Sequence, residues 1–196
     1  MSATLESVFE CVNRSVIQVS FRWKIFCQLF DSGPENIALL NASGAEVFYL
    51  FQRLALDDVI MALSRLTDPA YSGKKKSDEN ANIKYLLQNA AKLLDQDTND
   101  ELQASLTRLE GHVEGLRVHR NKALAHADLQ HTLQPDALPQ VLYGDLEGAM
   151  KECRNLMSKL GKLLFARTCS YEVIIAFGRS GSDLLSHLRA AHAKRV

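Results

Sequence analysis

The stretch TNDELQASLTRLEGHVEGLRVHRNKALAH, from Thr98 to His126, decides the fold of this chain. Its apolar residues recur in steps of three and four, which places their side chains on one face of a helix. The apolar positions are Leu102, Leu106, Leu109, Val113 and Leu116. They predict a helix with Thr98 as its N-cap that continues to about Leu124 and buries one face in a core.

Helical periodicity also dominates the rest of the sequence, and no strand pattern competes with it over any long stretch. We expect Tyr171 to Phe177, which is short and apolar, to be either helical or an extended linker. The loop at residues 70–80 is polar, and the connection at residues 127–140 should be irregular. The other predicted helices are Thr4 to Phe30, Glu35 to Leu40, Ala45 to Thr67, Ala81 to Leu94, Asp145 to Ala166 and Ser182 to Lys194.

These helices predict an all-α protein, an up-down helical bundle with additional terminal helices, forming a single domain over residues 1–196. With 46% hydrophobic and 23% charged residues, the chain has an ordinary globular composition. Lys plus Arg equals Asp plus Glu at 23 each, which argues against a surface that is basic throughout. A local basic patch remains compatible with this balance.

The sequence also gives expectations about the compartment. Its four cysteines show no Cys-x-x-Cys pairing, which favours free thiols in a reducing cytosol. The first residues carry acids and no uninterrupted apolar segment, so we expect no signal peptide. No run approaches 18 apolar residues, and we therefore expect a cytoplasmic protein without a membrane partner.

Arg120 occupies the next position in the apolar rhythm after Leu116. Burying an unpaired guanidinium there would cost several kcal/mol. Either the bundle opens at this level, or a partner group or a second subunit meets the arginine. The structural alternative is an arginine whose charged head reaches solvent at a frayed helix end.

His126 lies six residues after Arg120. In a regular helix these two side chains would point about 120° apart, so a straight helix does not present them side by side. They converge if the helix ends or distorts between Ala123 and His126, or across a two-fold axis that brings two copies together. A site that uses both residues would then be composite and symmetric.

The segment resembles the motif of the HEPN superfamily, in which an arginine, often followed by Asn or Asp, precedes a histidine late in a bundle helix. The string from Leu116 to Asp128 is similar to the abortive-infection, phage-resistance branch with AbiU-like members. Upstream, the resemblance rests on Trp23, Leu29-Phe30, Leu56-Asp57-Asp58 and Ser64-Arg65-Leu66-Thr67-Asp68-Pro69. It covers a core of about residues 20–165, followed by a helical extension at about 170–196.

This resemblance implies metal-independent RNA cleavage at a dimer interface, without a cofactor and leaving a 2′,3′-cyclic phosphate. His126 would act as acid or base, and Arg120 would stabilise the charge of the transition state. Asn121 would support them by hydrogen bonding, and Lys122 is a weaker phosphate contact. The implied protein is a homodimeric ribonuclease of phage defence or a toxin with a cognate antitoxin. The alternative is a non-catalytic, dimeric binding or scaffold module.

Other polar residues are secondary candidates. Asp58 either forms salt bridges within the bundle or holds Arg120 or His126 in place. Weak candidates for RNA contact are Arg117, His119, Lys74, Lys75 and Lys76. His112, His119 and His126 repeat every seven residues, but a rise of about 10.5 Å per repeat is too long for two of them to share a metal. We therefore expect no metal site.

Overall fold

A computed structural model describes residues 4–73, 78–124, 140–176 and 178–194. Its described part contains six α-helices and one pair of two-residue strands. The helices are α1 (Leu5–Phe30), α2 (Pro34–Leu66), α3 (Ile83–Ala90), α4 (Gln96–His119), α5 (Tyr143–Phe165) and α6 (Gly181–Ala193). The antiparallel strands are β1 (Tyr71–Ser72) and β2 (Asp78–Glu79). The prediction of an all-α helical bundle is confirmed.

Several helix boundaries differ from those predicted. The two helices expected on either side of residues 41–44 both form, and they join as α2 across a kink at Gly44, whose backbone angles are not helical. The N-cap of α4 is Asp95 rather than Thr98, because the Asp95 carboxylate accepts the backbone N–H of Thr98. This bond holds the pKa of Asp95 below its ordinary value. Residues 171–176 form neither helix nor strand, as in the linker alternative. Most of the connection at 127–140 lies outside the described residues.

The chain divides into two compact units, and the first consists of Met1–Gln18 and Ile60–Tyr171. Its centre is the packing of α4 against α5, and α3 contacts both helices. The apolar positions of α4 that the sequence predicts to face the core are all buried there. They meet residues of α5 that are equally buried, among them Leu146, Met150, Leu156 and Leu160.

The second unit consists of Val19–Val59 and Glu172–Val196. Its core joins α1, α2 and α6 through Leu29, Leu40 and Leu185. Gly181 begins α6 against α1, and a Cβ at Gly181 would lie 2.9 Å from Cγ of Leu29. Only glycine therefore fits at this contact without a shift of its neighbours. The unit boundaries differ from the predicted core of residues 20–165, and the single-domain organisation stays a prediction. The four cysteines are free thiols, as expected.

The packing of α4 yields a prediction about stability. Leu109 is fully buried, so Leu109→Ala should lower the free energy of unfolding by about 2–5 kcal/mol through lost burial and a residual cavity. Leu93 is 67% exposed, and Leu93→Ala should change it by no more than about 0.5 kcal/mol. Urea denaturation of both variants beside the wild type measures the difference. Equal stability losses would contradict the placement of the core.

Candidate functional site

The buried seam of α4 ends at Arg120, whose side chain is 19% exposed. From this residue the helix widens into a π-helical turn that spans Arg120–Leu124. Wide turns of this kind are rare and occur frequently at functional sites. A distortion here is one of the two ways in which the sequence allows Arg120 and His126 to converge. His126 itself lies outside the described residues.

Arg120 is held by an ion pair with Asp68, the residue that follows Thr67 after the end of α2. Nη1 of Arg120 lies 2.8 Å from Oδ1 and 2.9 Å from Oδ2 of Asp68. The carboxylate is also partly buried, with 28% of its side chain exposed. A partner group thus meets the arginine at the end of the seam, which is one of the outcomes that its position predicts. The pair compensates a charge that would otherwise be costly at this depth.

Asn121 supports the same guanidinium. Nε of Arg120 donates to the Asn121 side-chain oxygen at 3.0 Å. Nε and Nη1 are therefore occupied, whereas Nη2 makes no hydrogen bond with any described residue. An arginine held at Nε and Nη1 keeps the donors on Nη2 for an oxyanion.

The chain segment that carries Asp68 is itself fixed by side chains from two other elements. Arg117, one turn before Arg120, donates to the backbone oxygen of Thr67. Asn82, the N-cap of α3, donates to the backbone oxygens of Asp68 at 2.9 Å and Pro69 at 3.1 Å. Asn82 is almost completely buried, so these bonds replace water around the turn. The position of Asp68 thus depends on α3 and α4 together.

Two sequence strings from distant parts of the chain therefore meet at one point. Arg117 and Arg120 belong to the string that ends α4, whereas Thr67 and Asp68 belong to the Arg-Leu-Thr-Asp-Pro string that ends α2. The sequence indicates both strings but not their contact, because the pairing spans about fifty residues of chain. The carboxylate bound to Arg120 is that of Asp68 and not of Asp58. Asp58 instead pairs with Arg22 at 3.0 Å.

The other predicted residues have varied surroundings. Arg117, a candidate for RNA contact, donates a hydrogen bond from one guanidinium nitrogen to the backbone oxygen of Thr67. His119 has a buried Nδ1 without a hydrogen-bond partner among the described residues. Lys122 is partly buried. Lys74, Lys75 and Lys76 lie outside the described residues.

His112, one of the three regularly spaced histidines, has a carboxylate partner on α5. Its Nδ1 lies 3.4 Å from Oδ1 of Asp145, and a Cβ at Gly148 would lie 2.4 Å from the imidazole. Gly148 therefore makes room for this ring. Within the described ranges, no group of three or more histidine, cysteine, aspartate or glutamate side chains is arranged to hold a metal ion. None of the helices in those ranges is long and apolar enough to cross a membrane.

A comparison with protein families matches residues 2–183 to the HEPN AbiU2 model, described as AbiU2. The match includes both strings that meet at Arg120 and Asp68. The chain belongs to the AbiU2 family of HEPN proteins. Comparisons with curated proteins and with solved structures gave no match. Membership in the AbiU2 family supports a HEPN-type role associated with abortive infection.

The ion pair of this AbiU2 family member leads to a prediction. Asp68→Asn removes the charge that compensates a partly buried guanidinium, so the free energy of unfolding should fall by about 1–2 kcal/mol. Asp58→Asn is the matched control, because the Arg22–Asp58 pair is 44% and 51% exposed. Its loss should cost at most about 1 kcal/mol. Urea denaturation compares the two, and a larger effect of Asp58→Asn would contradict the assignment.

Proposed function

We propose that this AbiU2 family member is a metal-independent endoribonuclease that acts in phage defence or as the toxin of a toxin–antitoxin pair. The observation that carries the proposal is the fixed guanidinium of Arg120 at the start of the π-helical turn. Catalysis by charge stabilisation requires a donor that is already in place when charge develops. The bonds to Asp68 and Asn121 supply that restraint.

In the proposed reaction, the ribose 2′-oxygen attacks the neighbouring phosphorus and the bond to the 5′-oxygen breaks. His126 takes the proton from the 2′-hydroxyl or gives one to the departing 5′-oxygen, work that suits an imidazole near neutral pH. Arg120 donates to the phosphoryl oxygens, whose charge rises in the pentacovalent transition state. The products are a 2′,3′-cyclic phosphate and a 5′-hydroxyl, and DNA is not cut because it lacks the nucleophile.

RNA cleavage by the purified protein in the presence of a chelator tests the proposal. Arg120→Ala and His126→Ala should each lower the cleavage rate by about 10²-fold or more. Arg22→Ala and His187→Ala are matched controls, because both residues are exposed and neither belongs to the proposed site. An RNA with 2′-deoxyribose at the cleaved position should resist the wild type. Unchanged cleavage by His126→Ala would overturn the assignment.

We further propose that the functional unit is a homodimer in which Arg120 of one protomer works with His126 of its partner. In that arrangement a mixed dimer of Arg120→Ala and His126→Ala contains one intact composite site. An equimolar mixture should therefore recover about a quarter of the wild-type rate, since half of the dimers are mixed and each has one of two sites. If both residues act within one chain, the mixture stays inactive, and this outcome would exclude the composite site.

A non-catalytic binding or scaffold module is the second candidate, and one observation favours it. Arg120 is already paired with a carboxylate at low exposure, which is also the arrangement of a structural arginine. If this second function is correct, Arg120→Ala lowers the stability of the protein but no nuclease activity exists to be lost. The same chelator-containing assay separates the two functions, because only the ribonuclease produces cyclic phosphate ends.

A further inference from the structure

An unusual apolar face lies on α2 and includes none of the residues of the site described above. Val47, Leu50, Phe51 and Leu54 are spaced as residues that pack against a neighbour, yet each is 53–55% exposed. They are the largest group of exposed apolar residues on one helix face in the described part of the chain. Phe51 and Leu54 also border an open apolar groove of about 390 Å³ whose other wall includes Phe26 and Leu29 of α1. Apolar surface that is contiguous in this way marks an interaction site.

The spacing of the four apolar residues is symmetric about its midpoint, as on any helix face of this kind, so an antiparallel copy of α2 places apolar side chains opposite apolar side chains. If two copies of α2 cross antiparallel at a two-fold axis between Leu50 and Phe51, Val47 of each protomer faces Leu54 of its partner. Leu50 of each protomer then faces Phe51 of its partner. An isologous interface requires this kind of self-complementary patch.

The charges beside the face lie about nearly the same midpoint, one residue from that of the apolar residues. Glu46 and Arg53 are seven residues apart, about two helical turns, and therefore lie on the same flank of the apolar face. Both side chains are exposed, and neither forms an ion pair with another described residue. In the antiparallel arrangement the same flanks of both helices meet, so Glu46 of each protomer lies near Arg53 of its partner. Opposite charges would thus face each other twice.

From these two matches we propose that a second copy of this chain docks on the face formed by Val47, Leu50, Phe51 and Leu54. An unrelated partner would not require opposite charges on one flank of α2 that come close to each other when two copies of the helix cross antiparallel. The contact is independent of RNA cleavage and of the interface proposed near Arg120. If both contacts form, loss of the α2 contact lowers the mass of the assembly to that of the dimer held near Arg120.

A charge exchange tests this contact, with sedimentation equilibrium in the absence of RNA as the measurement. Glu46→Arg and Arg53→Glu each place like charges opposite one another twice, so each variant alone should associate roughly tenfold more weakly. Mixing the two single variants should restore association, because the mixed pair again has opposite charges at both positions. The double variant Glu46→Arg/Arg53→Glu should also associate like the wild type.

Leu50→Glu places a carboxylate near the axis and should abolish this association step. Leu93→Glu is its matched control, an exposed leucine outside the face, and should leave the mass unchanged. Circular dichroism verifies that every variant retains its helical content. Single variants that associate as tightly as the wild type, or a mixture no better than its components, would overturn the proposal. A wild type whose mass never rises with concentration and equals that of Leu50→Glu would do the same.

Discussion

The ion pair between Arg120 and Asp68 compensates the charge that the packing of α4 places at the edge of the core. Five apolar residues keep one face of this helix in the core, and the sixth position of the same face is an arginine. A guanidinium at the edge of a core is tolerated only when another group takes over the role of water. Asp68 does so with both carboxylate oxygens, and Asn121 occupies a second edge of the same group.

The Arg120–Asp68 pair lies where three elements that are separate in the sequence meet, namely the end of α2, the start of α3 and the end of α4. Asp68 is available because α2 ends at Leu66, two residues before it, and Pro69 disfavours helical geometry at Asp68. The turn after α2 is fixed by Asn82 from the start of α3 and by Arg117 from the last turn of α4. The end of α2, the start of α3 and the end of α4 thus constrain one another. The π-helical turn begins where these constraints meet.

The ion pair that fixes Arg120 has a different consequence for each of the two candidate functions, the ribonuclease and the scaffold. A carboxylate beside Arg120 lowers the net positive charge that an incoming phosphate meets, and the whole chain carries equal numbers of acidic and basic residues. Attraction at long range is therefore weak, and phosphate recognition must depend on placed donors at short range. For catalysis, an arginine that is already oriented reduces the reorganisation required in the transition state. For a scaffold, the same pair only stabilises the end of the bundle.

Local sequence patterns were sufficient to predict that the protein is helical, where α1 and α4 to α6 lie, and which face of α4 is buried. These properties follow from local periodicity and from helix-stopping residues, which act over a few positions of chain. It also placed Arg120 at a core-facing position, where an opening of the bundle, a partner group or a route to solvent had to accommodate the charge. The identity of that partner, Asp68 rather than Asp58, was decided by tertiary structure, because about fifty residues separate the two charges. The Asp95 cap was missed because several nearby polar residues could equally begin the helix. Whether an apolar side chain of α2 meets the core or solvent was likewise decided only by how the helices pack, since Leu40 and Leu50 look alike in the sequence.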